Sequence, residues 1–573
     1  MPLITITPQN RTVPAQAGAS LMDVLLAHEI HIENACGGKG LCGKCRVRIT
    51  NGDPGPVTES ERRLLTPAEL REGIRLACLV SVQEDLTVEL FHREQKHEVL
   101  TTGYQPEFEF APEVRKVPVV LRKLTLEDLE SFEDQILRQT GAGSMTYEAL
   151  TGVPLNPGSF TAVVYGDQVI RMEQGDTAGA LYGAAVDIGT TTVVCSVIDL
   201  NTGGVIGTAS EINAQKQFGL DVLTRITYEI EHPEVGREKL RDAIVSSING
   251  MLRSVCEDHG IPQDQIYEIA VAANCTMLHM LLGADASTIG RAPFTPAFTG
   301  AQRIPAAETG LRGAPGAMLY LLPSVSAYIG ADIVAGAAVC DLQHQKSNVM
   351  FIDIGTNGEI VLASGGRLLC CSCAAGPALE GMNISCGMRA AEGAIEDVRI
   401  TKNGVELEVI GGTAPAGICG SGILAAVREL LREEIVRSGG AYVKAGRFDS
   451  KDYRSTMIVV DESGKRSFVL TRKPVPLTIT QGDIRQVQLA KGAILSGFTA
   501  LLQRAGIGME DLDRVLIAGQ FGAHLPAESL TGTGILPAEV GDRIEYVGNT
   551  SQTGAFMALM SGDIREKMEK LAR

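Results

Sequence analysis

The sequence predicts a multidomain chain, α+β at its N-terminus and α/β over the rest, with the α/β part built as two related halves. Three observations carry this. At 573 residues the chain exceeds what one core holds, and at ~100–200 residues per domain three or four are expected. From about residue 181, short Val/Ile-rich strands alternate with longer helical stretches, the pattern of α/β architecture. Within that part Ala184-Ala185-Val186-Asp187-Ile188-Gly189-Thr190 is echoed by Val349-Met350-Phe351-Ile352-Asp353-Ile354-Gly355-Thr356, the mark of a duplicated unit.

Residues 1–93 read as a small α+β unit. The alternation Leu3-Ile4-Thr5-Ile6-Thr7, a second strand near Thr12 and Val13, and the runs Arg46–Thr50 and Leu86–Leu90 supply strands. A short helix follows Ser20, where Ser20-Leu21-Met22-Asp23 has the capping-box pattern. Residues 94–118 turn polar, with Pro106, Pro112 and Pro118, and read as a linker. Residues 119–180 form a small α/β middle domain with an acidic helix over 126–138 and a strand at Phe160-Thr161-Ala162-Val163-Val164. Residues 181–573 make one large domain with lobes at about 181–345 and 346–573.

Composition narrows the function classes. Lys and Arg total 51 against 68 Asp and Glu, a net charge of −17, which disfavours a nucleic-acid partner. The start carries neither a basic n-region nor a long apolar run, and no stretch reaches the ~18 uninterrupted apolar residues of a spanning helix. This predicts a cytoplasmic chain with no membrane role. In a reducing compartment, 13 cysteines are metal ligands or small buried residues before they are disulfides.

Cys36, Cys42 and Cys45 form a C-x5-C-x2-C run, and Cys78 follows after 32 intervening residues. Three soft thiolates on one loop and a distant fourth can surround a compact iron pair. Gly37, Gly38, Gly40 and Gly43 let the backbone wrap that volume and aim N–H groups at sulfur. Two other readings stay open here, a structural zinc site and unconnected buried thiols. Zinc usually takes two closely spaced Cys pairs, and Cys78 has no near partner. On these residues 1–93 resembles a [2Fe–2S] ferredoxin domain with adrenodoxin-like spacing. The resemblance implies a ferredoxin-like β-grasp fold.

Asp187-Ile188-Gly189-Thr190-Thr191-Thr192 heads a strand, a Gly/Thr-rich turn and a returning strand. Such a turn can point N–H groups and hydroxyls at phosphate oxygens while its carboxylate holds Mg²⁺ or its waters. Asp353-Ile354-Gly355-Thr356-Asn357-Gly358-Glu359 repeats the order. Two such hairpins facing across a cleft would clamp phosphates from both sides. Val515-Leu516-Ile517-Ala518-Gly519-Gln520-Phe521-Gly522 is a strand entering a Gly-rich turn. No Walker A run is present, so a P-loop reading fails. The three segments, in this order, resemble the phosphate and adenosine motifs of the actin/hexokinase/Hsp70 superfamily, which implies a two-lobed, ribonuclease H-like duplicated ATPase domain.

Together the parts resemble the reductive activators of corrinoid proteins. Further segments similar to that family are Ala273–His279, Ser326–Asp332, Ala375–Gly381, Gln481–Arg485 and Val547–Asn549. The resemblance implies an ATP-hydrolysing iron–sulfur enzyme that returns Co(II) corrinoid to Co(I) on a partner corrinoid protein of a methyltransferase or demethylase system. It also implies a low-potential electron donor and leaves room for a homodimer. The expected cofactors are a [2Fe–2S] cluster, ATP and Mg²⁺. In roles, Cys36, Cys42, Cys45 and Cys78 would ligate the cluster, and Asp187 and Asp353 would organise Mg²⁺ and the attacking water. Gly189, Thr190, Thr191, Thr192, Gly355, Thr356, Asn357 and Gly358 would line the phosphates. Gly519, Gln520, Phe521 and Gly522 would receive the adenosine. Gly420 and Ser421, ahead of a helix starting near Ile423, could add anion-binding N–H groups or serve close packing.

Other clusters carry less. Cys370 and Cys371 are adjacent and point apart on a strand, so Cys370, Cys371, Cys373, Cys386 and Cys419 are not read as a second metal site. His279 has no His or Cys at i+3 or i+4 and reads as a packed, hydrogen-bonding residue. No D-x-H-x-x-G is present, so the cobalt is expected on the partner. The alternatives are an activator of a radical dehydratase, which resembles a shorter ATPase with a shared [4Fe–4S] cluster, and a small-molecule kinase with a redox-sensing ferredoxin domain.

Overall fold

The computed structural model describes residues 2–7, 11–28, 45–90, 106–462, 464–474, 476–519 and 525–573, with the single positions 30, 32, 38, 40, 43 and 104. The chain divides into two compact units, Met1–Lys96 with Ile212–Ile244, and His97–Glu211 with Val245–Arg573.

In the first unit β1 (Leu3–Thr7), β2 (Arg11–Pro14), β3 (Arg46–Asn51), β4 (Ile74–Leu76) and β5 (Leu86–Leu90) form one sheet in the order β2-β1-β5-β3-β4. Helix Leu21–Ala27 turns Leu21, Met22, Val24 and Leu25 into its core. Ser20 heads that helix, but its hydroxyl makes no capping bond, because Ser20 is held in a β-bridge to Ser81. Full capping boxes form instead at Thr58 with Glu61 and Thr66 with Glu69.

The second unit opens with a four-stranded sheet, β6 (Val114–Leu121), β7 (Ser144–Met145), β8 (Gly158–Tyr165) and β9 (Gln168–Gln174), ordered β6-β8-β9-β7. Residues 114–118, expected as the end of a linker, therefore belong to a strand. Pro118 is accommodated because β6 is an edge and needs no N–H on its outer side. The acidic helix begins only at Phe132, where Ser131 and Asp134 form its capping box. Tyr104 and Ala111 are also tied down. Tyr104 N donates to Val547 O at 2.9 Å, Ala111 N to Met560 O at 2.8 Å, and Gly562 N to Ala111 O at 3.1 Å. Residues 94–103 and 105 of the expected linker lie outside the described residues.

Two larger sheets follow. The first joins β10 (Tyr182–Ile188), β11 (Thr192–Asp199), β12 (Val205–Ile212), β13 (Ile266–Ala273), β14 (Gln302–Pro305) and β15 (Met318–Leu321) in the order β12-β11-β10-β13-β15-β14. The second joins β16 (Val349–Ile354), β17 (Gly358–Ser364), β18 (Arg367–Cys373), β25 (Arg514–Ala518) and β26 (Ile544–Gly548) in the order β18-β17-β16-β25-β26. Between these last two groups in sequence come β19 (Ala394–Thr401), β20 (Gly404–Val409), β21 (Gly417–Ile418), β22 (Ile458–Val460), β23 (Arg466–Thr471) and β24 (Leu477–Thr480), in two three-stranded sheets. The halves repeat: a first strand pairs antiparallel with its hairpin partner and parallel with a later strand, β10 with β11 and β13, β16 with β17 and β25. This is the duplicated architecture expected from the echoed sequence.

The halves are interlocked. Helix Thr550–Met560 comes from the second half, yet Gln552 Nε2 donates to Ala185 O on β10 and to Ser196 Oγ on β11. Its approach to helix Ala331–Val339 is so close that a Cβ on Gly554 would lie 2.4 Å from Ala335 Cβ.

Candidate functional site

In the first unit the structure places two of the four expected cluster ligands together. Cys45 is buried just ahead of β3, and Cys78 lies in the turn Ala77–Leu79. Their sulfurs are 3.2 Å apart. The contact with Cys78 pulls the Cys45 thiol down to about 7, against the opposing effect of burial. Cys36 and Cys42 lie outside the described residues. Adjacent soft donors, one of them inclined to ionise, suit a thiolate-ligated iron–sulfur group.

In the second unit the two hairpins bring their aspartates into one cleft. Asp187 sits at the end of β10 and Asp353 at the end of β16, both half-buried. Gly189 N donates to Thr192 O at 2.9 Å and Gly355 N to Asn357 O at 2.9 Å, closing the two turns. Two further half-buried carboxylates, Asp332 and Glu359, belong to the same field. Burial, then Asp332 and Asp187, push Asp353 up to about 8. Burial first, with Asp187 adding to it, pushes Asp332 up to about 7. Glu359 is driven well above the usual range by burial, Asp332 and Asp353. Asp187 is raised by burial, but Ser551 Oγ donates to it at 2.7 Å and Asn549 Nδ2 at 3.0 Å, and both oppose the rise.

Hard carboxylate oxygens that resist charge together are the donor chemistry of a divalent cation. Among the described residues no three His, Cys, Asp or Glu side chains converge on one ion position. The group therefore fits Mg²⁺ shared with phosphates and waters, the usual arrangement for that ion, rather than an all-protein cage.

Thr190 Oγ1 accepts from Asn274 Nδ2 at 3.2 Å. Thr191 Oγ1 donates to Glu380 Oε2 at 2.9 Å, and Thr356 Oγ1 donates to Glu380 Oε1. Gly519 opens its turn at φ +95°, and a Cβ there would lie 2.6 Å from Asp353 Oδ1. The start of the expected adenosine turn thus abuts the second aspartate. Gln520, Phe521 and Gly522 lie outside the described residues.

The helix at Gly420 and Ser421 starts earlier than expected. The helix begins at Gly420, three residues earlier than read, with Cys419 at its N-cap. Both residues are buried, and a Cβ on Gly420 would lie 1.8 Å from Leu379 O. Gly420 thus packs against the turn Pro377–Glu380, and Ser421 Oγ lies 3.2 Å from Cys419 Sγ. The sequence reading did not assign Asp332, Glu359, Glu380, Asn549 or Ser551 to the cleft. A signal was present for Asp332, Glu380 and Asn549, which lie in segments singled out by resemblance, and for Glu359, which directly follows the second turn.

Comparison with known proteins completes the picture. Residues 4–83 match the family described as "2Fe-2S iron-sulfur cluster binding domain", residues 182–345 "RACo middle region" and residues 347–573 "C-terminal domain of RACo the ASKHA domain". A relative from Eubacterium limosum, "Corrinoid activation enzyme RamQ", is 31% identical over 94% of this chain and 90% of its own. The chain belongs to the family of reductive activators of corrinoid proteins. A solved structure titled "Reductive activator for corrinoid,iron-sulfur protein" is 33% identical with a TM-score of 0.72, covering 100% of this chain and 95% of that one. A Methanosarcina barkeri relative, "[Co(II) methylated amine-specific corrinoid protein] reductase", is 27% identical over 65% of this chain and 68% of its own.

In this reductive activator five of the remaining described thiols are buried packing residues. Cys195, Cys256, Cys275, Cys340 and Cys419 are buried, while Cys370 is exposed. Cys371 and Cys373 share the face of β18 that meets helix Gln481–Ala505 at Gly497. His279 is fully buried and stacked on Phe298. Its Nε2 accepts from Ala297 N at 3.0 Å, so its Nδ1 carries the hydrogen donated to Cys275 O at 2.7 Å. No described helix is long and apolar enough to cross a membrane.

Proposed function

We propose that this protein uses a [2Fe–2S] cluster and ATP to return an inactive Co(II) corrinoid, held by a partner protein, to Co(I). The observation that carries the reading is that a ferredoxin unit with its Cys45 and Cys78 thiols in contact shares one chain with a cleft formed by two aspartate hairpins. The relative named as a corrinoid activation enzyme aligns over 94% of that chain. The partner belongs to a methyltransferase or demethylase system, a low-potential donor refills the cluster, and the reaction takes place in the cytoplasm, with a homodimer as the working assembly.

Cys36, Cys42, Cys45 and Cys78 hold the cluster, which supplies one electron near about −400 mV. Co(II) to Co(I) reduction needs a lower potential than that, so a second source of free energy is required. Asp187 and Asp353 would hold Mg²⁺, which would offset phosphate charge. Thr190, Thr191, Thr356 and Asn357 touch the phosphates, and residues 519–522 meet the adenosine. Nucleotide binding and hydrolysis bridge the redox gap only if the two cleft states bind the corrinoid partner differently, since equal affinity shifts nothing.

The test mixes a Co(II) corrinoid protein anaerobically with the reduced activator and follows cobalt absorbance. Co(I) is expected to form faster with Mg·ATP than without. Equal rates overturn the role of ATP. ATP consumption that depends on a sugar or carboxylate, with no corrinoid protein present, favours a kinase instead.

A further inference from the structure

We propose that Cys371 and Cys373 are a site of reversible oxidation, at which a small organic disulfide bridges the two sulfurs and thereby slows the nucleotide cleft. The effect on turnover rests on the ATP-hydrolysing reading above, whereas formation of the bridge does not.

Cys371 and Cys373 stand two residues apart on β18, so their side chains leave the same face of the strand. That face meets Gly497 of helix Gln481–Ala505, where a Cβ would lie 2.3 Å from Cys373 Sγ and 3.0 Å from Cys371 Sγ. Both sulfurs therefore converge on the notch that a glycine leaves, and they are hydrogen-bonded to each other. The bond from Cys371 holds the Cys373 thiol down at about 7 against the effect of burial. The same bond, with burial, pushes Cys371 up. One sulfur is thus ready to attack as thiolate, and a thiol whose pKa lies near ambient pH is the best attacking group in exchange. Both residues are half-buried, in contrast to the buried Cys195, Cys256, Cys275, Cys340 and Cys419.

The strand is built to release such a bridge. At ~3.2–3.4 Å rise per residue, Cα atoms two residues apart lie about 6.4–6.8 Å from each other, at the upper end of the ~4.4–6.8 Å that a disulfide spans. Closing the bridge must pucker β18. This strand is the edge of its sheet, with β17 as its neighbour, so the pucker disturbs a single ladder. A bridge that pulls on its strand is easily reduced, the property of regulatory rather than structural disulfides.

The pucker reaches the cleft by two routes. Across the ladder, Cys373 pairs with Gly358, which pairs in turn with Ile354, the neighbour of Asp353. Along the chain, Ala375 N donates to Cys373 O at 2.9 Å, and the turn Pro377–Glu380 follows. Glu380 accepts from Thr191 Oγ1 at 2.9 Å and from Thr356 Oγ1. Hydroxyls of both aspartate hairpins are therefore bonded to a segment that begins at Cys373.

In the step, the Cys373 thiolate attacks one sulfur of the small disulfide R–S–S–R. A sulfur–sulfur bond forms to Cys373, the bond within R–S–S–R breaks, and RS⁻ leaves with the electron pair. Cys371 then gives its proton to solvent and attacks Cys373 Sγ, and the second RS⁻ leaves. The two cysteines lose two electrons and two protons in all, and one R–S–S–R becomes two R–SH.

The experiment treats full-length, cluster-loaded Cys370→Ser anaerobically with hydroxyethyl disulfide, beside the same protein with Cys371→Ser or Cys373→Ser added. Fragmentation of the tryptic peptide 368–389 locates every link. Phosphate release from Mg·ATP is measured before treatment, after it, and after dithiothreitol. With both cysteines present, the peptide is expected to lose two hydrogens between Cys371 and Cys373. Turnover should then fall about tenfold or more, the scale of a small displacement in a site, and return with reductant. Adding Cys371→Ser should leave half of the reagent trapped on Cys373, and adding Cys373→Ser should leave Cys371 unmodified. A peptide without the 371–373 link, or linked through Cys386 instead, overturns the site. A link that leaves turnover within about twofold of the untreated protein, or a loss of turnover that persists with Cys373→Ser, overturns the control of the cleft. Untreated protein that does not hydrolyse Mg·ATP overturns the ATPase reading itself, and the peptide still decides the site.

Discussion

The two aspartate hairpins are near copies in sequence and pairing, yet their carboxylates are held in different ways. Asp187 receives hydrogen bonds from Asn549 and Ser551, carried in from the far end of the chain. Burial, and then Asp332 and Asp187, push the pKa of Asp353 up, with the closely packed Gly519 turn alongside. Duplication supplied two equal carboxylates, and tertiary contacts made them unequal. One is a fixed anchor. The other is under electrostatic pressure that a cation would relieve.

The largest expected effect tests what the pair shares. Asp187→Asn and Asp353→Asn should each lower ATP turnover about 100-fold or more, since each removes charge compensation from the phosphate site. Steady-state phosphate release checks this, and near wild-type release in either variant would remove that aspartate from the site. The same variants separate the pair by stability. Without metal, Asp353→Asn should melt about 2 °C or more above wild type, because a neutral isostere ends the crowding of buried charges. Asp187→Asn should melt below wild type, because it gives up an acceptor for Asn549 or Ser551. Equal shifts of one sign would erase the contrast.

A smaller effect is expected at the anchor. Asn549→Ala should lower stability by about 1–3 kcal/mol, since it removes both a donor to Asp187 and the cap of helix Thr550–Met560. Ser551→Ala removes only the donor, so it should cost less while lowering turnover. Chemical denaturation followed by phosphate release on each variant would establish the order.

The smallest effect concerns support for the first hairpin. Asn274, which donates to Thr190, caps helix Cys275–Leu282, which carries His279. Burial lowers the His279 pKa from its ordinary 6.5, opposed by the Cys275 carbonyl and Asp285. The unfolded chain therefore takes up the proton first. Stability from neutral His279 is fully present above about 6.5 and falls as pH drops from there toward the folded-state pKa. Melting curves between pH 7.5 and 5 should show this slope, and His279→Gln should flatten it. An unchanged slope in the variant would assign it to other groups.

The fold and the cleft were legible in the sequence to different depths. Each aspartate turn is a local device, with its carboxylate, glycine and hydroxyls within six residues, so the two hairpins could be picked out from sequence. Glu380, Asn549 and Ser551 reach the same cleft only by tertiary crossing, and no local period marks that. The helix expected to start near Ile423 begins at Gly420, where close packing on Leu379 overrides the poor helix propensity of glycine. The linker was read to 118 because the stretch is polar and carries three prolines, whereas an edge strand tolerates Pro118.

The crossing helix Thr550–Met560 also bears on how the chain is made. It covers β10 and bonds through Gln552 to Ala185 and Ser196, but it leaves the ribosome about 280 residues after β13 ends. At ~5–20 residues per second that is a delay of about 15–55 s. Throughout it, the apolar face of β10 and β13 waits uncovered in the nascent chain. A fragment ending near residue 345, which lacks that cover, is expected to aggregate.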